Sequence, residues 1–249
     1  MKHGDFTDLA ENYAKYRPAY APLVRDALAG LLPVGGRAAD IGAGTGIWSQ
    51  MLHQAGLQVE AVEPNEAMRR AGAAQHSQIA WRAGSAEAST LPAGQYDLVS
   101  MASSFHWPDF KGALAEFERL LKPGGYFAAL WNTRDVAGIP LLEDFEAELK
   151  RLAPDMKRVS SGRSEFCDAL TGRLETSGVF SQVLYLEGHH LEFQSPEHYL
   201  GLWESVNDVR VQAGPEKFGQ FLDYIHEKTK GLEQIEARYK TRCWLARKK

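Results

Sequence analysis

The sequence predicts an α/β protein built on a mostly parallel sheet covered by helices. Three observations carry that expectation. Short apolar runs alternate with amphipathic stretches through the first half of the chain, the rhythm of repeated strand–helix–strand units. A glycine turn, Gly42-Ala43-Gly44-Thr45-Gly46, joins the first of these strands to the helix that follows it. An acidic residue, Glu63, closes the next strand, 19 positions beyond Gly44.

The 249 residues suffice for one large domain with a substantial buried core. Hydrophobic residues make up 44% and charged residues 24%, ordinary values for a folded chain, which excludes wholesale disorder. The net charge is −4 and no long Lys/Arg run occurs, so the sequence offers no footprint for a nucleic-acid backbone or an anionic membrane. Only the tip Arg247-Lys248-Lys249 is basic. No stretch reaches the roughly 18 apolar residues that cross a bilayer, and Met1-Lys2-His3-Gly4-Asp5 leads into a charged helix rather than an apolar signal segment. Cys167 and Cys243 stand 76 positions apart without CxxC spacing, which reads as two reduced thiols. The expectation is a soluble cytoplasmic protein, a monomer or homodimer, whose partner is a small molecule.

Residues 37–41 form a short strand entering the glycine turn, and residues 47–55 (IWSQMLHQA) follow with helical spacing. Residues 57–62 make the second strand and residues 66–74 the second helix. A weaker third strand covers 79–83, and a fourth covers 96–101. Over 110–121 the apolar residues Phe110, Leu114, Phe117 and Leu121 recur at helical spacing, until Lys122-Pro123-Gly124-Gly125 ends the helix and 126–131 begins a fifth strand. Beyond this point the rhythm changes. Residues 141–152 read as a helix, 154–164 as an irregular stretch rich in Ser, Arg and Lys, and 165–176 as a helix. Residues 179–193 make a strand pair or one long strand, 196–209 and 216–229 are helical, and 235–246 alternates as a closing strand. There is no internal repeat and no low-complexity linker, so 1–249 is a single domain.

Glycines at a strand-to-helix turn let backbone N–H groups approach a ligand at the helix N-terminus. An acidic residue at the end of the next strand suits a ribose diol. Enzymes that bind a nicotinamide dinucleotide share this geometry. Two details oppose that reading: the loop runs G-A-G-T-G rather than G-x-G-x-x-G, and the acidic Asp40 immediately precedes it.

Five motifs in order resemble the class I S-adenosylmethionine (SAM)-dependent methyltransferases, over roughly residues 5–132. Asp40-Ile41-Gly42-Ala43-Gly44-Thr45-Gly46 is similar to the first motif, and Val62-Glu63-Pro64-Asn65 with Met68 to the second. Gly84-Ser85-Ala86-Glu87 falls where the family often has G-D-A-E, Tyr96-Asp97-Leu98-Val99 resembles the fourth motif, and Leu121-Lys122-Pro123-Gly124-Gly125 the turn before the fifth strand. The resemblance is to the small-molecule branch, type 11/25-like and similar to trans-aconitate methyltransferases. It implies a Rossmann-like fold with a mostly parallel seven-stranded sheet, an antiparallel last strand and a helical substrate cap. Residues 1–35 would then hold lid helices, 36–132 the SAM-binding core, 133–233 further helices, the sixth strand and the cap, and 234–249 the last strand.

By that resemblance Gly42, Ala43 and Gly44 line the methionine and ribose portions of SAM, Glu63 holds the ribose diol, and Pro64 and Met68 pack on ribose and adenine. Ser85 stands where the family usually has Asp, so the adenine amine loses a charge-assisted acceptor and groups at Ala86 matter more. Ser103, at the end of the fourth strand, also belongs to the cofactor set. The segment Asn12-Tyr13-Ala14-Lys15-Tyr16-Arg17-Pro18 is similar to a lid, with Tyr13 covering the cofactor and Arg17 reaching its carboxylate or orienting the lid.

Methyl transfer from a sulfonium needs orientation, desolvation and sometimes a base, not a nucleophile triad. Phe105 and Trp107 are candidate apolar walls and His106 a candidate base at the carboxyl edge of the sheet. Asn132 ends the fifth strand with both a donor and an acceptor. Ser161 and Arg163, in the positively charged run 157–164, are candidates for binding a carboxylate. Trp203 and Asn207, four apart on a helix face, are candidate cap residues. His189 and His190 point to opposite faces of a strand, and without a further Cys/His cluster no metal site is expected.

Three functions stay open at this point: methyl transfer to a small molecule, cyclisation of SAM itself to azetidine-2-carboxylate and methylthioadenosine, and SAM binding without turnover. The second requires walls that exclude an acceptor, for which Phe127, Asn132 and the Ser/Arg run are candidates.

Overall fold

The structure is a computed structural model that describes residues 10–157 and 162–249. Seven strands, β1 (Arg37–Ile41), β2 (Gln58–Val62), β3 (Ala80–Arg82), β4 (Tyr96–Ala102), β5 (Leu121–Arg134), β6 (Phe180–Gln194) and β7 (Ile235–Lys248), form one sheet in the order β3-β2-β1-β4-β5-β7-β6. β3 through β5 run parallel, and β7 lies antiparallel to both its neighbours, as the sequence predicts. The strand order reverses between β1 and β4. That reversal leaves a crevice beyond their carboxyl ends, because the following helices cross to opposite faces of the sheet.

Before the sheet come α1 (Ala10–Tyr16) and α2 (Pro22–Gly30), and within its first half α3 (Ile47–Gln54), α4 (Glu66–Gln75) and α5 (Phe110–Leu120). Alternation along the strands feeds two cores. On β5, Phe127, Ala129 and Trp131 face α5 with Phe105 and Phe117, whereas Ala128 and Leu130 face α2 and α3 with Val24, Leu28, Trp48 and Leu52. Side chains at two of the helix starts are fixed by capping: Asn65 accepts from the Met68 N–H at 3.1 Å, and Asp109 accepts from the Gly112 N–H at 2.7 Å.

The later helices are α6 (Pro140–Leu152), α7 (Glu165–Asp168), α8 (Leu170–Glu175), α9 (Pro196–Glu204) and α10 (Asn207–Thr229). A third core joins α6, α9 and α10 through Phe145, Tyr199, Trp203 and Phe221 to Ile235, Ala237 and Tyr239 of β7. This is the helical cap, and it rides on the overhanging ends of the sheet.

Several boundaries differ from the sequence reading. β5 begins at Leu121, the expected last residue of the preceding helix, and takes in the Lys-Pro-Gly-Gly stretch, because Leu121 pairs with Tyr96 across a register shift. It continues to Arg134 because Thr133 and Arg134 pair with Lys240 and Tyr239. The 179–193 segment is one strand. The helix expected over 165–176 divides at Ala169, and the one over 196–209 divides at Ser205-Val206. α10 starts at Asn207 and is interrupted at Gly214 (φ 75°), one residue before Pro215.

Gly72 provides a test of the packing. In a helix interior, alanine is usually favoured over glycine by about 1 kcal/mol. Here a Cβ would fall 2.1 Å from the Trp81 indole. Overpacking wins, so Gly72→Ala is expected to lose about 1–3 kcal/mol in urea unfolding; a gain would show that the Trp81 ring shifts freely.

Candidate functional site

A cavity of about 340 Å³ opens at the crevice between β1 and β4. Its floor is the turn after β1. Gly42 and Gly44 adopt φ of 65° and 60°, where a side chain is strained, and a Cβ on Gly42 would also fall 2.9 Å from Ser104 Oγ. The turn is tied to β2 by the Gly42 and Ala43 N–H groups, which donate to the Val62 carbonyl at 2.8 and 3.1 Å.

Glu63 lines the cavity and is only 7% exposed. The Gly44 N–H donates to one carboxylate oxygen at 2.8 Å and the Asn65 N–H to the other, also at 2.8 Å. Burial raises its pKa, and these two backbone donors oppose the rise. Each oxygen keeps a further lone pair, so the carboxylate is held rigid and can still accept from a ligand.

Beneath the turn, Asp40 is fully buried. Ser49 Oγ donates to it at 2.6 Å, and Ser100 Oγ lies 3.3 Å away. Burial pushes its pKa up to about 7 against the pull of those hydroxyls, with Glu63 adding to the rise.

Of the cofactor residues expected from sequence, the cavity brings together Tyr13, Gly42, Ala43, Gly44 and Glu63, and also Pro64, Met68, Ser85, Ala86 and Ser103. Glu87 joins them, and its carboxylate accepts from the Asp109 N–H at 2.9 Å, tying the loop after β3 to the start of α5. Trp107, expected at the acceptor, is on the same wall and 41% exposed. Arg17 is not on the wall. Its guanidinium sits 4.7 Å over the Tyr13 ring and donates to the Ser205 carbonyl at 2.8 Å, so it braces the lid.

Other expectations are corrected by burial and bonding. Phe105, Phe127 and Trp203 are fully buried in the sheet and cap cores and present no surface to a ligand. Asn132 is occupied at both ends: its Nδ2 donates to the Ala19 carbonyl at 2.8 Å, and its Oδ1 accepts from Thr241 Oγ1 at 3.0 Å. Thr241 Oγ1 in turn accepts from the Ala21 N–H at 2.8 Å. Asn132 is therefore an anchor for residues 19–21 rather than a group facing the cavity.

His106 accepts from the Trp131 indole N–H at Nδ1, 3.3 Å away, which places its own proton on Nε2. Burial pushes its pKa down to about 4, with Asp208 acting against the drop. A neutral imidazole arranged this way has no free lone pair for a base. Arg163 is exposed, 4.0 Å from Asp135, and away from the cavity. Ser161 and Arg158 lie outside the described residues.

Sequence reasoning missed Tyr20, Trp48, Asn65 and Met101 on the cavity wall. Tyr20 had a signal, an aromatic residue three positions beyond Arg17 in the lid motif. Its hydroxyl is 2.9 Å from Ser103 Oγ, and burial keeps the phenol protonated by pushing its pKa up. Ser103 itself holds a left-handed φ of 56°, fixed on its other side by the Ser103 N–H donating to Leu130 at 2.7 Å.

The lid helix α1 is clasped by the cap. Asn12 donates to Glu204 at 3.3 Å, Tyr16 and Lys15 reach Glu197, and the His198 ring meets the Tyr16 ring edge-on at 5.3 Å. The clasp depends on Gly201, where a Cβ would fall 2.4 Å from Tyr16. No described helix is long and apolar enough to cross a membrane. Among the described residues no group of three or more His, Cys, Asp or Glu side chains could hold a metal ion.

The sheet order and the crevice at its reversal define the class I methyltransferase fold. Residues 39–129 match the family model described as a methyltransferase domain. An uncharacterized methyltransferase of Mycobacterium tuberculosis is 39% identical over 124 residues, 49% of this chain and 50% of that protein. The match thus spans about half the length of these curated relatives. A ubiquinone/menaquinone biosynthesis C-methyltransferase of Methylobacterium nodulans is 32% identical over 161 residues, 59% of this chain and 63% of that one. The solved structure of a proposed type II methyltransferase from Anaeromyxobacter dehalogenans superposes with a TM-score of 0.68 at 22% identity, covering 93% of this chain and 98% of that one. Over residues 39–129 the chain is thus similar to a methyltransferase domain, and along nearly its whole length its fold is that of a solved methyltransferase structure.

Two outcomes are expected at this site. Asp40 has a raised folded pKa, so the unfolded chain releases its proton near 3.8 while the folded one keeps it to about 7. Stability from this group is therefore full below 3.8, declines as pH rises to about 7, and then levels. Thermal melts of Asp40→Asn across that window should show a flatter decline than the parent; parallel curves would count against the shift. Gly201→Ala should release α1 from α9 and speed amide exchange in α1 by roughly tenfold or more, with the sheet unchanged. Unaltered exchange would mean that the clasp is not what holds the lid.

Proposed function

We propose that this protein transfers the methyl group of SAM to a small-molecule acceptor. The observation that carries the reading is the Glu63 carboxylate, fixed on the cavity wall by the Gly44 and Asn65 N–H groups with lone pairs left for a diol. The donor set fits SAM. Glu63 would hold the ribose hydroxyls, and Pro64 and Met68 would give the nucleoside an apolar face. Ser85 and Ala86 would meet the adenine edge, and the turn from Gly42 to Thr45 would meet the aminobutyryl arm at the start of α3. When bound, SAM supplies an electrophilic methyl carbon that needs no further activation.

The chain's own part is orientation and exclusion of water. Tyr13, pressed on by Arg17, covers one side of the cavity. Tyr20 and Ser103 set a hydroxyl pair against its inner wall. Trp107 and Pro108 form an apolar rim, and Glu87 holds that rim through the Asp109 N–H. An acceptor is expected to enter along this rim. The acidic net charge favours a small molecule over a polyanion. His106, held by the Trp131 indole N–H, packs its ring 4.4 Å from that of Trp107 at the rim and takes no proton.

Loss of a charge-assisted hydrogen bond costs about 1.5–3 kcal/mol. Glu63→Gln also turns an amide N–H toward a backbone N–H, so SAM binding by calorimetry should weaken at least about tenfold. Unchanged affinity would remove the cofactor assignment. Incubation with SAM and an acceptor panel, read by mass spectrometry, should give S-adenosylhomocysteine only when an acceptor is present; methylthioadenosine from SAM alone would replace methyl transfer by cyclisation.

A further inference from the structure

β6 ends the sheet and runs for 15 residues, with β7 as its only strand partner among the described residues. At about 3.4 Å per residue its open edge spans roughly 50 Å. A long, apolar edge strand pairs with another strand unless charges or bulges blunt it. Among the described residues, four of the nine exposed large apolar side chains lie on this one strand: Leu184, Tyr185, Leu191 and Phe193, each between 42% and 59% exposed.

We propose that two copies of this chain pair antiparallel along β6 about a two-fold axis at Gly188, joining their sheets into one. Such an axis keeps each face of the sheet on its own side, so paired residues stand equal distances before and after Gly188. On one face this sets Glu187 against His189, Tyr185 against Leu191, and Val183 against Phe193. Acid meets base at the centre and apolar residues meet outward from it. Moving the axis by one residue destroys the match. At His189 it sets Glu187 against Leu191, and at Glu187 it sets Tyr185 against His189.

The other face explains the glycine on the axis. There α2 lies so close that a Cβ on Gly188 would fall 2.8 Å from Val24 and 2.9 Å from Ala21. Around the axis the helix covers that face in each protomer, although Leu184 further along it stays exposed, and the matched pairs lie on the complementary face. Glu187 already receives Lys240 at 3.2 Å, so the centre of the edge carries both charge signs in each copy. The occupant best matched to this edge is therefore the same edge.

Sedimentation of the full chain should give a mass twice 27.7 kDa, with dimer persisting at concentrations of about 10–100 μM. Leu191→Lys combined with Phe193→Lys removes apolar residues exposed in the protomer and should give monomers with SAM affinity within about threefold of the parent. Glu187→Lys should also give monomers, and adding His189→Glu to it should restore the dimer. A parent chain that is monomeric across this range overturns the proposal. So does a dimer that survives the two lysines. Failure of the charge swap to restore pairing overturns the Gly188 register.

Discussion

A carboxylate that leaves water must be met by hydrogen-bond donors, and the first half of the fold is arranged around one that is. Glu63 sits at the end of β2, nearly buried, with a backbone N–H on each oxygen. One donor comes from the glycine turn after β1 and the other from the cap of α4. Two connections on the cavity wall, those after β1 and after β2, are thereby held at fixed separation by a single side chain. The left-handed glycines let the turn come near enough, and the Asn65 cap fixes where α4 begins. With Asp40 buried below and sharing the same field, the floor is a polar assembly whose parts cannot move independently.

The lid depends on a second constraint, and it comes from the far end of the chain. Asn132 and Thr241 bind the backbone of residues 19–21, while Gly201 and its neighbours on α9 receive Tyr16. α1 is thus attached to the cap and sheet extension rather than to the glycine turn it shelters. Enclosure of the cavity and placement of the cap are two aspects of one set of contacts. Arg17 joins them at closest range, with Tyr13 on one side and the Ser205 carbonyl on the other.

The core from β1 to β5 was legible because its causes are local: apolar runs, glycines at the turn and the Lys-Pro-Gly-Gly stop after α5 all act within a few residues. The cavity wall was legible for the same reason, since Gly42 to Gly44 and Glu63 to Met68 each form a short block. What lay beyond reading depended on pairing across the chain. β5 lengthens to Arg134 only because β7 is there to bond with it. Asn132 looked available until topology brought Ala19 and Thr241 to its two ends. Phe105 and Trp107 are two positions apart with similar hydrophobicity, yet one is fully buried and the other rims the cavity. Composition cannot distinguish a wall from a core. The same limit applied to Phe127 and Trp203, and His106 differed from a base only through the indole that faces its Nδ1.

β7 is inserted between β5 and β6, and its Thr241 accepts the N–H of Ala21. A segment near the start of the chain is therefore held by one synthesised some 220 residues later. During translation β1 to β5 can form while the lid has no anchor and β6 has no neighbour to join it to the sheet. Until residues 235–248 emerge, two unpaired strand edges face solvent and the cavity stands open. β7 therefore covers the β5 edge, supplies Trp244 to one core and Leu245 to the other, and anchors the segment that carries Tyr20, so losing it would release one wall of the cavity along with the sheet edge.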